Sequence, residues 1–391
     1  MQPQESGQRR RGGASTAVIT LTEELPPPAP HRVAAVDIVR GLAMVLMAID
    51  HVRVYSGQPA AGPEAGIFFT RWVTHFCAPA FALFAGMGAY LYGRRHGDLA
   101  RFLVTRGLIL VVFELTVIRF FWTFSLDYSN VLAGVIWMLG WCMVLLAGLV
   151  RLWPNALAVG VIGLAIIALQ QLFGFVSLGP VWEFVYPSGS KGLPNVSILY
   201  VLVPWVGVMA FGYGLGLVAA LKTSDLRRRF YYKIGLALTV LFVVAGVLTT
   251  AFSQGQAPFL MRLLNQRKYP ASQLYLLMTL GPALLALAWA ERAKGQFVNV
   301  LATFGRVPMF YYLLHIPAIH LAALAVTYFR EGGMHPERYA HAPFTQVPRE
   351  FMWSLPLLYL VFAVVVVALY FPCRWFAEVK ARSESMWVRM L

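Results

Sequence analysis

The first apolar segment, residues 33–55, carries five ionisable side chains: Asp37, Arg40, Asp50, His51 and Arg53. A charged residue at the centre of a bilayer costs about 2.5–3.5 kcal/mol on insertion scales, so membrane helices keep such residues mainly for function. We therefore expect this helix to line a chemical site as well as to cross the membrane.

Arg40 and His51 are predicted to lie on one face of that helix. At about 100° per residue, they are separated by roughly three full turns plus 20°. Met44 and Met47 occupy the same stripe, and about 16 Å of helix separates its polar ends. The spacing predicts a channel with a cation at one end and a titratable base at the other.

Each polar end of the stripe has two interpretations. Arg40 either pairs with Asp37, three residues earlier, or faces an anionic phosphate. His51 is either an interfacial anchor or a general base, since histidine exchanges protons near neutral pH. In the second interpretation Asp50, or a carboxylate on another helix, fixes the tautomer of His51.

Histidines in two other apolar segments are further candidates. Arg71 and His75 lie four residues apart on one face of the second segment, shortly before Pro79. His75 is either a second active-site group or a hydrogen-bonded residue of the bundle. His315 should lie at mid-depth in the ninth segment, where Pro317 frees a backbone carbonyl.

Other polar groups favour structural roles. His320 lies about 140° around the helix from His315, so the two do not easily bind one metal ion, and no metal site is expected. Glu114 and Arg119 are expected to form a structural ion pair. The GYGLG run at residues 212–216 favours helix packing over nucleotide binding.

The composition requires a membrane protein. The chain has 391 residues, of which 59% are hydrophobic and 13% charged. Several apolar runs exceed about eighteen residues, the length that crosses a bilayer. We predict an all-α bundle of about ten transmembrane helices, at residues 33–55, 67–92, 103–123, 130–150, 155–175, 198–221, 234–253, 271–290, 307–329 and 351–373.

The charge distribution predicts the topology. The net charge is +15, and most Lys and Arg residues outside the apolar segments fall in loops on one side. This pattern places both termini in the cytoplasm and gives no reason to expect nucleic acid as a partner. Residues 1–32 are predicted to be a disordered basic tail, 33–373 the transmembrane domain, and 374–391 a short second tail. The expected location is the inner membrane, with the lipid bilayer as the immediate partner.

Five stretches of sequence occur together in this order: RVAAVDIVRGLAMVLMAIDHVRVYSG, FFTRWVTHFCAPAFALFAG, YVLVPWVGVMAFGYGLG, KYPASQLYLLMTLGP and FGRVPMFYYLLHIPAIH. In combination they resemble the bacterial membrane family grouped with the catalytic domain of heparan-alpha-glucosaminide N-acetyltransferase. The spacing from Arg40 to His51 is also similar to an Arg-and-His signature in bacterial acyltransferases that modify surface glycans. The resemblance implies transfer of an acyl group from cytoplasmic acyl-coenzyme A to an acceptor on the far side of the membrane.

One feature departs from the family pattern. The lysosomal enzyme that the chain resembles uses a histidine in the luminal loop after its first helix. Residues 57–63, the corresponding loop here, contain none, and the nearest histidines are His51 and His75. The resemblance therefore implies a reaction class and leaves the acceptor open.

These observations predict an acetyltransferase with acetyl-coenzyme A as its donor and no metal. The pantetheine arm would follow the Met44 and Met47 face, and His51 would deprotonate a hydroxyl or amine of a glycan-like acceptor. The expected catalytic residues are His51, Asp50, His75 and His315, and the expected donor-binding residues are Arg40, Asp37 and Arg306, with the Arg94–Arg95 loop nearby.

Two other functions stay open at this stage. Buried His, Asp and Arg residues and proline-broken helices also suit a proton-coupled transporter, although no pair of similarly interrupted halves is evident. A scaffold without chemistry would leave the buried charges unexplained. The acceptor, O- or N-transfer, and assembly into a homo-oligomer are not determined by the sequence.

Overall fold

A computed structural model describes residues 34–60, 62, 64–189, 192–383, 385 and 388. The predicted tail at 1–32 lies outside these residues, and the predicted tail at 374–391 lies partly outside them. The described α-helices are α1 (Ala34–Tyr55), α2 (Ala65–Trp72), α3 (Cys77–Gly93), α4 (Leu99–Phe113), α5 (Arg119–Thr123), α6 (Val135–Leu152), α7 (Ala156–Ala168), α8 (Trp205–Ala219), α9 (Ser224–Ala251), α10 (Phe259–Leu264), α11 (Gln273–Ala290), α12 (Gln296–Arg306), α13 (Pro308–Glu331) and α14 (Leu355–Arg382).

The helices confirm a largely helical protein with several segments that could span a membrane. Six of the described helical segments are long and apolar enough to cross a membrane: Ala65–Gly93, Val135–Leu152, Ser224–Ala251, Gln273–Ala290, Pro308–Glu331 and Leu355–Arg382. Two shorter apolar helices, α7 and α8, add to these. Each of the ten predicted segments overlaps a helix, and α14 continues beyond its predicted end to Arg382.

The second predicted segment is one helical rod with a change of helix type. A 3-10 turn at Val73–Phe76 joins α2 to α3. Pro79 has no N–H to donate to the carbonyl of His75, four residues earlier. The Tyr275 hydroxyl donates to that carbonyl instead, at 2.7 Å. Because Pro79 leaves this carbonyl without its helical donor, the Tyr275 hydroxyl can link α11 to the 3-10 turn.

The third predicted segment contains a π-helical turn, Glu114–Ile118, between α4 and α5. The buried Glu114 carboxylate accepts a hydrogen bond from the backbone N–H of Ile136 at 3.2 Å. Arg119 donates to the Thr123 hydroxyl and to backbone carbonyls of the following loop. The expected ion pair between Glu114 and Arg119 is therefore not formed. Glu114 instead satisfies an unpaired donor at the start of α6.

Glycines allow the central helices to approach closely. A Cβ on Gly41 of α1 would overlap the carbonyl of Leu301, and one on Gly305 of α12 would overlap that of Asp37. In the GYGLG run, a Cβ on Gly212 would overlap the backbone of Leu83 in α3. The run serves helix packing, as predicted.

Helix α1 lies at the centre of the bundle, where it contacts α3, α11, α12, α13 and α14. The described residues also include two short strands, β1 (Val131–Ala133) and β2 (Val196–Ile198), which pair in parallel with Val131 opposite Val196. This pair joins two loops and is the exception to the all-α prediction. The central position of α1 means that its polar side chains face other helices.

Candidate active site

His51 and His315 form a hydrogen-bonded pair across the bundle. His51 Nδ1, near the carboxyl end of α1, lies 2.6 Å from His315 Nε2 in α13. Their rings are stacked with centroids 4.8 Å apart, and His315 is fully buried. Two histidines that are 264 positions apart in the chain thus share one site.

The hydrogen bonds define the tautomer of each ring. His315 Nδ1 lies 2.7 Å from the carbonyl oxygen of Tyr312. A carbonyl only accepts, so Nδ1 of His315 carries the proton and its Nε2 accepts from His51 Nδ1–H. The remaining nitrogen of His51, Nε2, has an available lone pair and no partner among the described residues. The pair presents His51 Nε2 as a base.

Aromatic residues surround the pair. The His51 ring packs edge-on against Trp122, with centroids 4.7 Å apart, and Tyr312 lies 6.4 Å away. The Tyr311 ring stacks on His315 with centroids 5.2 Å apart. These contacts limit the rotation of both imidazoles, which holds the His51–His315 pair in one geometry.

Asp50 does not orient His51, contrary to the sequence-based expectation. Its carboxylate accepts from Arg53 Nε at 2.9 Å and lies 3.6 Å from Arg71 Nη1. His51 Nδ1–H instead donates its hydrogen bond to His315 Nε2. Adjacent residues on a helix point about 100° apart, so Asp50 faces the arginines while His51 faces α13.

A large cavity of about 580 Å³ lies beside the amino-terminal half of α1. Arg40 and Met44 line it from α1, Arg106 lines it from α4, and Tyr312 lines it from α13. The remaining walls are mainly apolar and aromatic, with Tyr92 and His96 among the polar exceptions.

A second cavity, of about 40 Å³, lies beside the carboxyl-terminal part of α1. Met47, Asp50 and His51 line it from α1, and Lys268 lines it from the loop before α11. Phe81 of α3 lines both cavities. The stripe predicted from the sequence is therefore divided, with Arg40 and Met44 at the large cavity and Met47 and His51 at the small one.

The predicted donor-binding residues separate in the structure. Arg40 pairs with Asp37, the first of the two roles considered for it, and also donates to the carbonyl of Gly305 at 2.8 Å. It lines the large cavity as well, and its role in phosphate binding stays a prediction. Arg306 is exposed at the end of α12 and is not among the residues that line the large cavity. Arg106 is the second arginine of that cavity.

The other candidate histidines lie outside the pair. His75 is buried in the 3-10 turn, its ring packs edge-on against Tyr275, and its Nδ1 has no hydrogen-bond partner in the described part of the chain. His320 stacks on Phe124 with centroids 4.0 Å apart. The structure thus brings together only His51 and His315 of the histidines proposed from the sequence.

Sequence reasoning missed three residues at the two cavities: Arg106, Lys268 and Phe81. Arg106 interrupts an apolar segment, which is the signal that identified Arg40, so it could have been found. Lys268 lies between the predicted segments 234–253 and 271–290, and nothing in the sequence reveals that this loop folds inward. Phe81 is one of many aromatic residues in apolar segments and carries no distinguishing signal.

The described residues contain no group of three or more His, Cys, Asp or Glu side chains placed to hold a metal ion. The three cysteines are buried free thiols. The charged residues and histidines described above at the two cavities supply imidazole, carboxylate, guanidinium and ammonium groups, and Thr74, Cys77 and Tyr200 add a hydroxyl, a thiol and a phenol at the small cavity.

The fold and the site define a multi-pass helical membrane protein with a histidine pair at the smaller of two cavities. Residues 32–247, more than half of the chain, match the family described as "Heparan-alpha-glucosaminide N-acetyltransferase, catalytic". The chain belongs to this family. His315 and Lys268 lie beyond the matched residues. A comparison with curated proteins gave no match.

Membership fixes the general activity. The family's general reaction is acetyl transfer, with acetyl-coenzyme A as the usual donor. The apolar helices and the family together identify a multi-pass membrane protein.

Proposed function

We propose that this protein transfers an acetyl group from cytoplasmic acetyl-coenzyme A to a hydroxyl or amine of a glycan-like acceptor on the far side of the membrane. The observation that carries the proposal is that one helix, α1, lines the large cavity with Arg40 and presents the base His51 at the small one. In this arrangement all ten predicted segments cross the inner membrane, and the amino end of α1 faces the cytoplasm.

The large cavity suits the donor. Arg40 and Arg106 supply two guanidinium groups, the side chains that recognise phosphate most effectively. Near them Tyr92 stacks between His96 and Phe102, with centroids 4.2 and 3.8 Å apart, which offers flat surfaces of the kind that nucleobases stack on. The apolar wall beyond these residues suits the pantetheine arm. The thioester would then reach the boundary between the cavities.

The small cavity suits the chemistry. His51 Nε2 accepts the proton of the acceptor hydroxyl or amine as that group attacks the thioester carbonyl. His51 Nδ1–H keeps its hydrogen bond to His315 throughout, so the ring stays oriented as it becomes an imidazolium. His315 is therefore a positioning residue, comparable in logic to the third member of a catalytic triad. Direct transfer needs no covalent enzyme intermediate.

The donor assignment is tested by acetyl-coenzyme A binding to purified protein in nanodiscs. We expect saturable binding that Arg106→Gln weakens about tenfold, which corresponds to about 1.4 kcal/mol, the size of one charge-assisted contact. Arg101→Gln is the matched control, because Arg101 is exposed on the same helix and lies outside the large cavity. Arg40→Ala should weaken binding as well, with a thermal unfolding scan to separate the loss of its contact with Gly305.

Two results would contradict the proposal. If folded wild-type protein does not bind acetyl-coenzyme A, the assignment of acetyl-coenzyme A as the donor is wrong. If Arg106→Gln and Arg101→Gln bind it with equal affinity, the large cavity is not the binding site, since only Arg106 lines it.

A further inference from the structure

Lys268 is a buried lysine that the mechanism described so far does not use. Its side chain is only 8% exposed, and it lies in the loop that precedes α11. Its ammonium nitrogen lies 5.7 Å from the ring centroid of Tyr200 and 5.2 Å from that of Tyr269. In the part of the chain that the structure describes, this ammonium makes no hydrogen bond and no ion pair with a carboxylate.

The charges around the small cavity do not balance. Asp50 is the acidic residue that lines it, and its carboxylate is already paired with Arg53 and contacted by Arg71. Lys268 therefore adds a positive charge for which the described residues provide no carboxylate partner. A buried charge without a partner is costly, and functional sites are where such groups persist. The excess positive charge at the small cavity favours binding of an anionic oxygen there.

The position of the small cavity indicates what that anion is. His51, the proposed base, and Lys268 line this cavity together, so a group that reacts at His51 lies on the same cavity as the ammonium. Acetyl transfer produces an anionic oxygen at the reacting carbon, which is the oxygen of the acyl group itself.

We propose that Lys268 stabilises the oxyanion that forms on the acetyl carbonyl during transfer. This proposal rests on the proposed acetyl-coenzyme A chemistry. The acceptor oxygen or nitrogen bonds to the carbonyl carbon, the C=O π electrons move onto the carbonyl oxygen, and His51 takes the acceptor proton. When the tetrahedral intermediate collapses, the C=O bond re-forms, the C–S bond breaks, and the proton on His51 passes to the leaving coenzyme A thiolate.

The small cavity brings the required groups together. His51 supplies the base and Lys268 supplies the positive charge, and both line the same cavity. Tyr200 and Tyr269 hold the lysine through cation–π contacts, which are compatible with a retained positive charge. A preorganised charge of this kind acts on the transition state more than on the bound substrate.

The test uses Lys268→Met in the full-length protein, with hydroxylamine as a small acceptor that is uncharged near neutral pH. We expect kcat to fall about 10²–10³-fold, the usual effect of removing one oxyanion donor, while the Kd for acetyl-coenzyme A stays within about twofold. Lys268→Arg retains the charge and should recover part of the rate. Lys294→Met is the control, since Lys294 is exposed and lines neither cavity.

The outcomes separate this inference from the proposed function. If wild-type protein transfers acetyl to hydroxylamine and Lys268→Met does so equally fast, the oxyanion role is overturned and the acetyltransferase proposal stands. If Lys268→Met affects only acceptors that carry a carboxylate or phosphate, Lys268 binds the acceptor and the oxyanion role is again overturned. If wild-type protein neither binds nor turns over acetyl-coenzyme A, both proposals fail. Should Lys268→Met not fold, a rate for the charge-removing variant Lys268→Gln equal to wild type would exclude the role.

Discussion

The two cavities along α1 differ in size and in charge. The large one has a volume of about 580 Å³ and mainly apolar walls, with two arginines among its lining residues. The small one has about 40 Å³ and is lined by Asp50, His51 and Lys268. Volume without many polar groups suits binding, whereas converging polar groups in little space suit chemistry. Donor affinity and turnover should therefore respond to different mutations.

The largest expected effect concerns the base at the small cavity. His51→Asn should lower kcat for acetyl transfer by about 10²–10⁴-fold, the usual contribution of a general base, and leave the Kd for acetyl-coenzyme A nearly unchanged. His315→Asn should give a smaller loss because His315 only orients His51. Both constants are measured on the same preparation, by single-turnover kinetics and by calorimetry.

The double variant gives a sharper test of the pair. If the two histidines act as one unit, the combined loss should be close to that of His51→Asn alone. Losses that multiply would show that the residues act independently. A loss of acetyl-coenzyme A binding in either single variant would contradict the claim that the large cavity sets donor affinity and the small cavity sets turnover.

An intermediate effect is expected at the large cavity. Met143→Trp places a larger ring in the cavity from α6 and should weaken acetyl-coenzyme A binding about 10–100-fold, because it occupies volume that the donor needs. Leu145→Trp is the matched control, since Leu145 is on the same helix but 42% exposed. Binding isotherms for the two variants check this directly. Equal affinities would show that the donor does not use this cavity.

The smallest expected effect is on acyl-chain length. Wild-type protein should prefer acetyl- over butyryl-coenzyme A, because the side chains of Met47, Phe81 and Val135 line the small cavity and limit the room for extra methylenes. Met47→Ala enlarges the small cavity, so it should lower the ratio of kcat/KM for acetyl- over butyryl-coenzyme A about tenfold. That change lies within the range that one or two methylenes contribute in a pocket. The ratio of kcat/KM for the two donors measures it. An unchanged ratio would place the acyl group elsewhere.

High hydropathy identifies the membrane helices, but it does not identify the helices that line the site. Helices α9 and α14 are the most apolar of the six candidate spans. Only 22% of the most apolar stretch of each is buried in the protein, against 61% for the segment Ala65–Gly93. Helix α1 is not among the six. Lipid selects for apolar surface all round, whereas a central helix is covered by other helices and can carry polar groups.

Part of the site followed from helix geometry alone. Arg40, Met44, Met47 and His51 were placed on one stripe because 3.6 residues complete each turn, and the structure distributes that stripe along the two cavities. The choice of Asp50 as the partner of His51 came from adjacency in sequence. Adjacency does not put two side chains on the same face of a helix, and Asp50 turns towards Arg53 and Arg71.

The sequence by itself determined a helical membrane protein, its family, and a central helix with a cation and a base aligned on one face. These properties are local, since they depend on composition, motif order and helical period. Only the tertiary structure decided that His315 is the partner of His51, that Arg106 joins Arg40, and that Lys268 turns inward. Each of these contacts joins residues far apart in the chain, and their positions depend on how helices such as α1 and α12 pack at Gly41 and Gly305.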